Sequence, residues 1–427
     1  MNAELLFLIV LMSVAGAALG TFSGLVPGIH VNTLAALMLS FYAALDSFFS
    51  DLFPSVHSGL LIASCIVSAA VVHSSVDFVP SIFLGAPDPD EVMNILPGHR
   101  LLMDGKGMVA VRSAAIGSAI GSMTAVVIAI PLHHVMSSGL SDVLETYTPA
   151  VLITVICILL VKEKGSILWA AILTVFSGCL GYVCMSAPVP ESIIPGSLLF
   201  PLLTGLFGIP AMLLSTKSGE VPEQKDPIHY PVGYKEGLKG VLTGGIVGWF
   251  PGITATAGAA VASSFTKDAG KEGFISLVSS IGSASAVFAL VTLSVTGKGR
   301  SGTMLAVSDI LGNSVSGTGS VFVAMLLTVS IAIVLGYLIT IGSGKLLSRT
   351  VAGKSLGHVN FIVIVSVISL VFLMTGIIGI VVLSASVALG LIPTAAGVSR
   401  VHLTGCLTVP ATVFYLNLDL PKILFFL

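Results

Sequence analysis

Two short stretches place helix-breaking residues beside groups that bind anions: GTFSGLVPGIHVNT, Gly20 to Thr33, and TGGIVGWFPGITATA, Thr243 to Ala257. Proline removes a backbone donor and glycine relaxes the backbone, so Pro-Gly inside apolar sequence breaks a helix. The break leaves unpaired N–H groups at the start of the next helix, where the partial positive charge favours an anion. His30, Asn32 and Thr33 follow the first break, and Thr254 and Thr256 follow the second, adding polar side chains beside those amides. With Gly24, Pro27 and Gly28 of one copy and Gly248, Pro251 and Gly252 of the other, they form a candidate substrate site. The plainer alternative is a tight turn, with the glycines serving close helix packing.

Two further segments carry cations among glycines. GAPDPDEVMNILPGHRLLMDGKG (Gly85 to Gly107) contains His99, Arg100 and Lys106, and VTGKGRSGT (Val295 to Thr303) contains Lys298 and Arg300. If both segments re-enter toward a shared cavity, Arg100 and Arg300 approach from opposite sides. A guanidinium forks onto a carboxylate bidentately, so the pair suits a di- or tricarboxylate, and a phosphate equally well. Ordinary loops touching lipid headgroups are the alternative. Of the ionisable groups inside apolar runs, His73 and Asp77 in VVHSSVDF stand one helical turn apart, and Asp309 lies among hydroxyls in LAVSDILGNSVSGTGS. All three are candidates for coupling transport to a cation, Na+ or H+; a structural pair and a helix-boundary residue are the alternative readings.

The elements that hold these groups follow from composition. The 427 residues are 55% apolar and 9% charged, against about 25% charged in a soluble domain. Runs such as Ser113 to Ser141 and Gly240 to Thr266 exceed the roughly 20 residues needed to cross a bilayer as helix. In lipid the backbone must satisfy its own hydrogen bonds, and runs of this length without polar alternation exclude a barrel, which predicts an all-α polytopic membrane protein. The net charge of −2 presents no basic surface for nucleic acid. Cys65, Cys157, Cys179, Cys184 and Cys406 all lie in apolar segments without paired spacing and read as core residues. Leu5 to Leu19 lacks a basic n-region and reads as a retained first helix. No HExxH motif occurs, and no nucleophile–base arrangement beyond His73-Ser74-Ser75, so neither an enzyme nor a metal or other cofactor is expected.

Apolar runs and their punctuation predict about 14 spans, including broken or re-entrant helices: about seven in residues 1–216 and about seven in 237–427. Between them lies a polar stretch, 217–236, that reads as a solvent-exposed cytoplasmic linker. With both termini outside, 15 of the 18 lysines and arginines fall on the cytoplasmic side and only Lys298, Arg300 and Lys422 fall outside. An odd number of spans per half makes two related halves an inverted repeat, a common transporter plan. The two opening stretches support the relation: Gly20, Gly24, Pro27, Gly28 and Ile29 align with Gly244, Gly248, Pro251, Gly252 and Ile253.

The G-x-x-x-G-x-x-P-G motif at Gly20 to Gly28, its repeat at Gly244 to Gly252, and the segment SIFLGAPDPDEVMNILPGHRLLMDGKGMVAVRSAAIGSAIG together resemble the TctA family, the large membrane subunit of tripartite tricarboxylate transporters, in an archaeal-type branch. The likeness covers most of the chain. It implies uptake of a carboxylate driven by an ion gradient, with an extracytoplasmic binding protein and a small membrane subunit as partners. This sequence departs from the family pattern at His30 and at SLVSSIGSASAVFALVTLS, where a paired-asparagine motif is usual. The leading expectation is a secondary transporter of an organic anion in the cell membrane. A translocase for polyprenyl phosphate or another lipid-linked anion is the alternative.

Overall fold

The structure, a computed structural model, describes residues 3–26, 29–85, 95–187, 197–215, 220–226, 232–263 and 269–418. Among these residues there is no strand, only an isolated antiparallel bridge between Glu220 and Ser355. The first half comprises α1 (Ala3–Leu25), α2 (Val31–Ser40), α3 (Tyr42–Leu52), α4 (Ser58–Val76), α5 (Phe78–Leu84) and α6 (Ile95–Met103). It continues through α7 (Gly107–Val135), α8 (Ser141–Val161), α9 (Ile167–Ser186), α10 (Leu199–Leu203) and α11 (Ile209–Ser215). The second half comprises α12 (Tyr234–Trp249), α13 (Ala255–Ala262), α14 (Gly270–Thr296), α15 (Gly302–Leu311), α16 (Ser320–Val351), α17 (Leu356–Ala396) and α18 (Gly405–Tyr415).

Among the described residues seven apolar helical runs are long enough to cross a membrane, or eight when α2 and α3, bent by 70° at Phe41, count as one. The expected count of about 14 spans, broken or re-entrant helices included, is therefore not confirmed. Two segments that read as spans are helices of half length: α13 has 8 residues and α18 has 11. At 1.5 Å per residue such pieces reach about halfway across a hydrocarbon core of about 30 Å. Conversely, two long runs hold two helices each, because Gly139 (φ 108°) divides 107–161 and Gly376 (φ 61°) divides α17.

The motif glycines explain the closest helix pair in each half. A Cβ at Gly16 or Gly20 would lie 2.2 Å from the Cys65 carbonyl oxygen or 2.4 Å from that of Ala69, and one at Gly24 would lie 3.1 Å from the Asp77 nitrogen. The register advances in the same direction on both helices, so α1 and α4 run parallel, backbone against backbone. In α12, Gly240, Gly244 and Gly248 meet the carbonyls of Leu277, Ile281 and Ser285 on α14 in the same manner. Small residues one turn apart permit this approach where lipid offers no hydrophobic drive between helices.

The halves interlock. α7 packs along α14, and α16 packs along α4. Gly117 and Gly121 of α7 sit on the backbone of Ser276 and Ser280. A buried apolar core that includes Ile9, Ile62, Val67, Val291, Phe322 and Val329 joins α1, α4, α14 and α16. The described part of the polar linker is docked rather than loose. Gln224 donates to the Leu102 carbonyl (3.1 Å) and accepts from Gly107 N–H (2.8 Å), Arg112 pairs with Asp226 at 2.6 Å, and Val221 is buried. The turn before α7 has backbone groups that its own helix cannot satisfy, and the linker supplies them.

Candidate functional site

One cavity of about 730 Å³ lies where the two breaks meet. From the first half it is lined by His30, Asn32, Thr33, His73 and Asp77; from the second by Gly248, Pro251, Gly252, Arg300 and Thr303. Phe78, Phe200, Leu203, Met212 and Val367 give it an apolar side.

Each break is closed locally by a side chain. His30 is extended (φ −81°, ψ 146°) and caps α2, its Nδ1 accepting from Asn32 N–H at 3.1 Å. Thr254 caps α13 in the same position of the second copy, its hydroxyl accepting from Ala257 N–H at 3.1 Å. Capping removes one of the orphan donors that a helix start exposes. After the second break the chain doubles back, with Gly252 at φ 80° and Gly258 of α13 packed on Thr243 and Val247 of α12. A side chain at Gly252 would meet Ala411 at 2.6 Å as well as the strained φ.

Asn32 joins the halves, its Oδ1 accepting from Thr303 N–H at 3.0 Å. That bond holds the first turn of α15 against α2, while Ile310 at the other end of α15 packs near Gly59 at the start of α4. The segment carrying Arg300 is thereby drawn to the level of the first break. The Arg300 guanidinium donates through Nη1 to the Tyr415 hydroxyl and lies 6.0 Å from the centre of that ring. Its Nε is buried and has no partner among the described residues. On the opposite wall, His73 Nδ1 is 2.9 Å from Ser23 Oγ and its Nε2 is 3.8 Å from Asp77 Oδ2. The His30 ring stands 5.0 Å from the His73 ring, tilted by 55°.

Not every residue singled out in the sequence arrives here. Arg100 is exposed on α6 and does not line the cavity, so the two-sided arginine clamp is not formed. The register explains why: Arg300 precedes its short helix, whereas Arg100 sits in the second turn of α6. Asp309 is exposed on α15, away from the cavity. Gly24 packs on α4, and Thr254 and Thr256 are buried without lining the space. Pro27 and Gly28 lie outside the described residues. Among the described residues no cluster of three His, Cys, Asp or Glu has metal-binding geometry. Sequence reasoning passed over Ser23 and Tyr415; Ser23 lay within the quoted motif, whereas nothing local marked Tyr415 as a partner of a residue 115 positions earlier.

A second polar cluster lies between α8 and α9. The Glu163 carboxylate, 5% exposed, accepts from Gly165 N–H (2.8 Å) and Ser399 N–H (2.9 Å) and lies 2.6 Å from His402 Nε2. Burial pushes this carboxyl up, but those hydrogen bonds and the His402 charge outweigh it and hold it below its ordinary value.

Helices of membrane length, half-length helices around a central cavity and sparse buried charge define a multi-pass α-helical membrane protein with an internal site. The family model described as the tripartite tricarboxylate transporter TctA family matches residues 10–405, and the chain belongs to that family. An uncharacterized protein of Methanocaldococcus jannaschii is 26% identical over 331 residues, covering 75% of this chain and 77% of the relative. No solved structure matches.

Proposed function

We propose that this chain is a secondary active transporter for an organic anion of the di- or tricarboxylate class, working by alternating access around the cavity between the two Pro-Gly breaks. The observation that carries the proposal is the convergence in one space of the residues after the first break, the second break itself and a guanidinium. Arg300 keeps a buried Nε–H to offer beyond its bond to Tyr415, which suits the planar fork of a carboxylate. Residues 1–216 and 237–427 act as inverted repeats: the matching glycine-packed pairs α1–α4 and α12–α14 and the reciprocal contacts α4–α16 and α14–α7 support this. Rocking of one repeat against the other would expose the cavity to each side in turn, with both termini outside the cell. An extracytoplasmic binding protein and a small membrane subunit would deliver the anion, and a gradient of Na+ or H+ would drive it. Family membership supports both roles.

The apolar side formed by Phe78, Phe200, Leu203 and Met212 favours one second reading, a polyprenyl phosphate with its chain on that wall. Reconstituted protein separates the two. Uptake of radiolabelled citrate, succinate or malate, lost in Arg300→Ala while the variant still elutes as folded protein, supports carboxylate transport. Translocation of a fluorescent polyprenyl phosphate without carboxylate uptake would replace it.

A further inference from the structure

We infer that the cleft between α8 and the α12–α13 hairpin binds one anionic phospholipid, with an acyl chain lying in the cleft and the phosphate held between Lys162 and Lys239. The inference stands apart from whatever the central cavity carries.

The cleft is a second space, of about 380 Å³. α8 lines it from Tyr147 to Ile158, α12 with Thr243 and Ile246, and α13 with Gly258 and Val261. Its few hydroxyls are turned away or back on the helix: Thr154 donates to the Ala150 carbonyl at 2.7 Å, and Thr243 presents its methyl group to Gly258. Tyr147 and Ile246 are about half exposed and Leu242 beside them more so, so the cleft opens on the surface that faces lipid. An apolar cleft left unfilled there forfeits dispersion contacts along its length, and the surrounding hydrocarbon can restore them. From Tyr147 to Ile158 the α8 wall measures about 16 Å, which is about half of a 30 Å hydrocarbon core and so the depth of one acyl chain in one leaflet.

Charge at one end selects the headgroup. Lys162 follows Ile158 by four residues and keeps helical angles (φ −83°, ψ −6°), and Lys239 precedes Thr243 by four. Each lysine therefore lies on the cleft face of its helix, one turn past the last lining residue. The two lie at the same end of the molecule. Glu145, in the second turn of α8, pairs at 2.6 Å with Lys298, just past the end of α14, whereas Gly240 of α12 rests on Leu277 near the start of α14. α8 and α12 thus run in opposite senses, and the end of one stands with the start of the other. Both lysines are exposed, and the acids next to them are engaged elsewhere: Glu163 with Gly165, Ser399 and His402, and Glu236 along Gly273 of α14. Lysine stems follow apolar surface while their ammonium groups stay in water, which suits a phosphate at the mouth of an acyl cleft. A zwitterionic headgroup brings its own cation to the same place and loses that advantage.

The position gives the lipid a role. Val247 and Ile253 line both this cleft and the central cavity, so the hairpin that carries Pro251 and Gly252 is the only wall between them at that point. A chain in the cleft backs the second break from behind.

The test uses the full chain in detergent, melted with rising phosphatidylglycerol or phosphatidylcholine of the same acyl chains, with native mass spectrometry counting the lipids retained. Phosphatidylglycerol is expected to raise the melting temperature along a saturating curve and to remain as one bound molecule, with at most a small rise from phosphatidylcholine. Lys162→Gln combined with Lys239→Gln should weaken phosphatidylglycerol binding by about thirtyfold, from about fivefold per lysine beside an anionic lipid, and salt should erode the preference of the parent. Lys345→Gln combined with Arg349→Gln removes two exposed charges from α16, away from the cleft, and should bind as the parent does. Thr154→Trp, an exposed position whose new ring would fill the cleft, should abolish retention. Equal stabilisation by the two lipids overturns the anionic headgroup. Unchanged retention in the lysine pair or in Thr154→Trp, or an equal loss in the α16 pair, overturns the placement in this cleft. Soluble glycerol 3-phosphate that matches the lipid overturns the part given to the chain.

Discussion

Gly20→Ala tests whether the repeated glycines exist to press two helices together. The added Cβ would lie 2.4 Å from the Ala69 carbonyl oxygen, and Ala69 Cα and carbonyl carbon follow at 3.0 and 3.1 Å. The first contact is about 1 Å short of ordinary van der Waals distance, and the obstacle is backbone, so no rotamer relieves it. Either α1 moves off α4, opening the contacts of Gly16 and Gly24 as well, or the core takes up strain of about 1–3 kcal/mol. Gly342→Ala is the matched control. Gly342 is exposed on α16 and meets nothing within 4 Å, so alanine there should be neutral or stabilise by up to about 1 kcal/mol through helix propensity. The assay is thermal melting of both purified variants in one detergent, with elution profiles. Gly20→Ala should melt several degrees below the parent and Gly342→Ala at or slightly above it. Equal melting of the two variants would refute the close-packing account.

Three further outcomes follow from the same contacts. Tyr415→Phe keeps the ring near Arg300 but removes the hydroxyl that holds Nη1, so the KM for carboxylate uptake should rise by about two- to tenfold, the equivalent of one hydrogen bond. Glu163→Gln weakens the charged bonds to Gly165, Ser399 and His402 and should cost about 1.5–3 kcal/mol, read as a lower melting temperature at neutral pH. Because the folded Glu163 carboxyl is held below its unfolded value of about 4.3, its contribution is complete above that pH and is lost as pH falls through the lower folded value. The parent and Glu163→Gln melting curves should therefore converge toward acid, and a gap that stays constant to low pH would contradict the assignment.

Sequence reasoning located the two breaks because proline and glycine act through the backbone, and a backbone effect is readable where it is written. It also identified the polar residues after the first break, and His30, Asn32 and Thr33 line the cavity. It misjudged the second copy in part: Thr254 and Thr256 look equivalent on the page, yet α13 turns back along α12 and buries both. Arg100 and Arg300 matched as cations between the same pair of spans, but their positions relative to the following short helix differ by half that helix. The span count is unconfirmed where hydropathy and length part company. A half-length helix is as apolar as a full one, and only its packing reveals that it stops midway. The Arg300–Tyr415 and Asn32–Thr303 bonds join residues 115 and 271 positions apart, a distance across which one sequence carries no signal.

The central claim, that residues from both halves enclose one anion site, is tested most directly by substrate protection of two introduced cysteines, Thr33→Cys from the first half and Ser285→Cys from the second, both lining the cavity. Each is labelled by a thiol reagent in proteoliposomes, against the parent protein as background, with rising concentrations of whichever carboxylate is transported. The account predicts that labelling slows at both positions with the same half-maximal concentration, close to the KM for uptake. Transport that persists while neither cysteine is protected would contradict it.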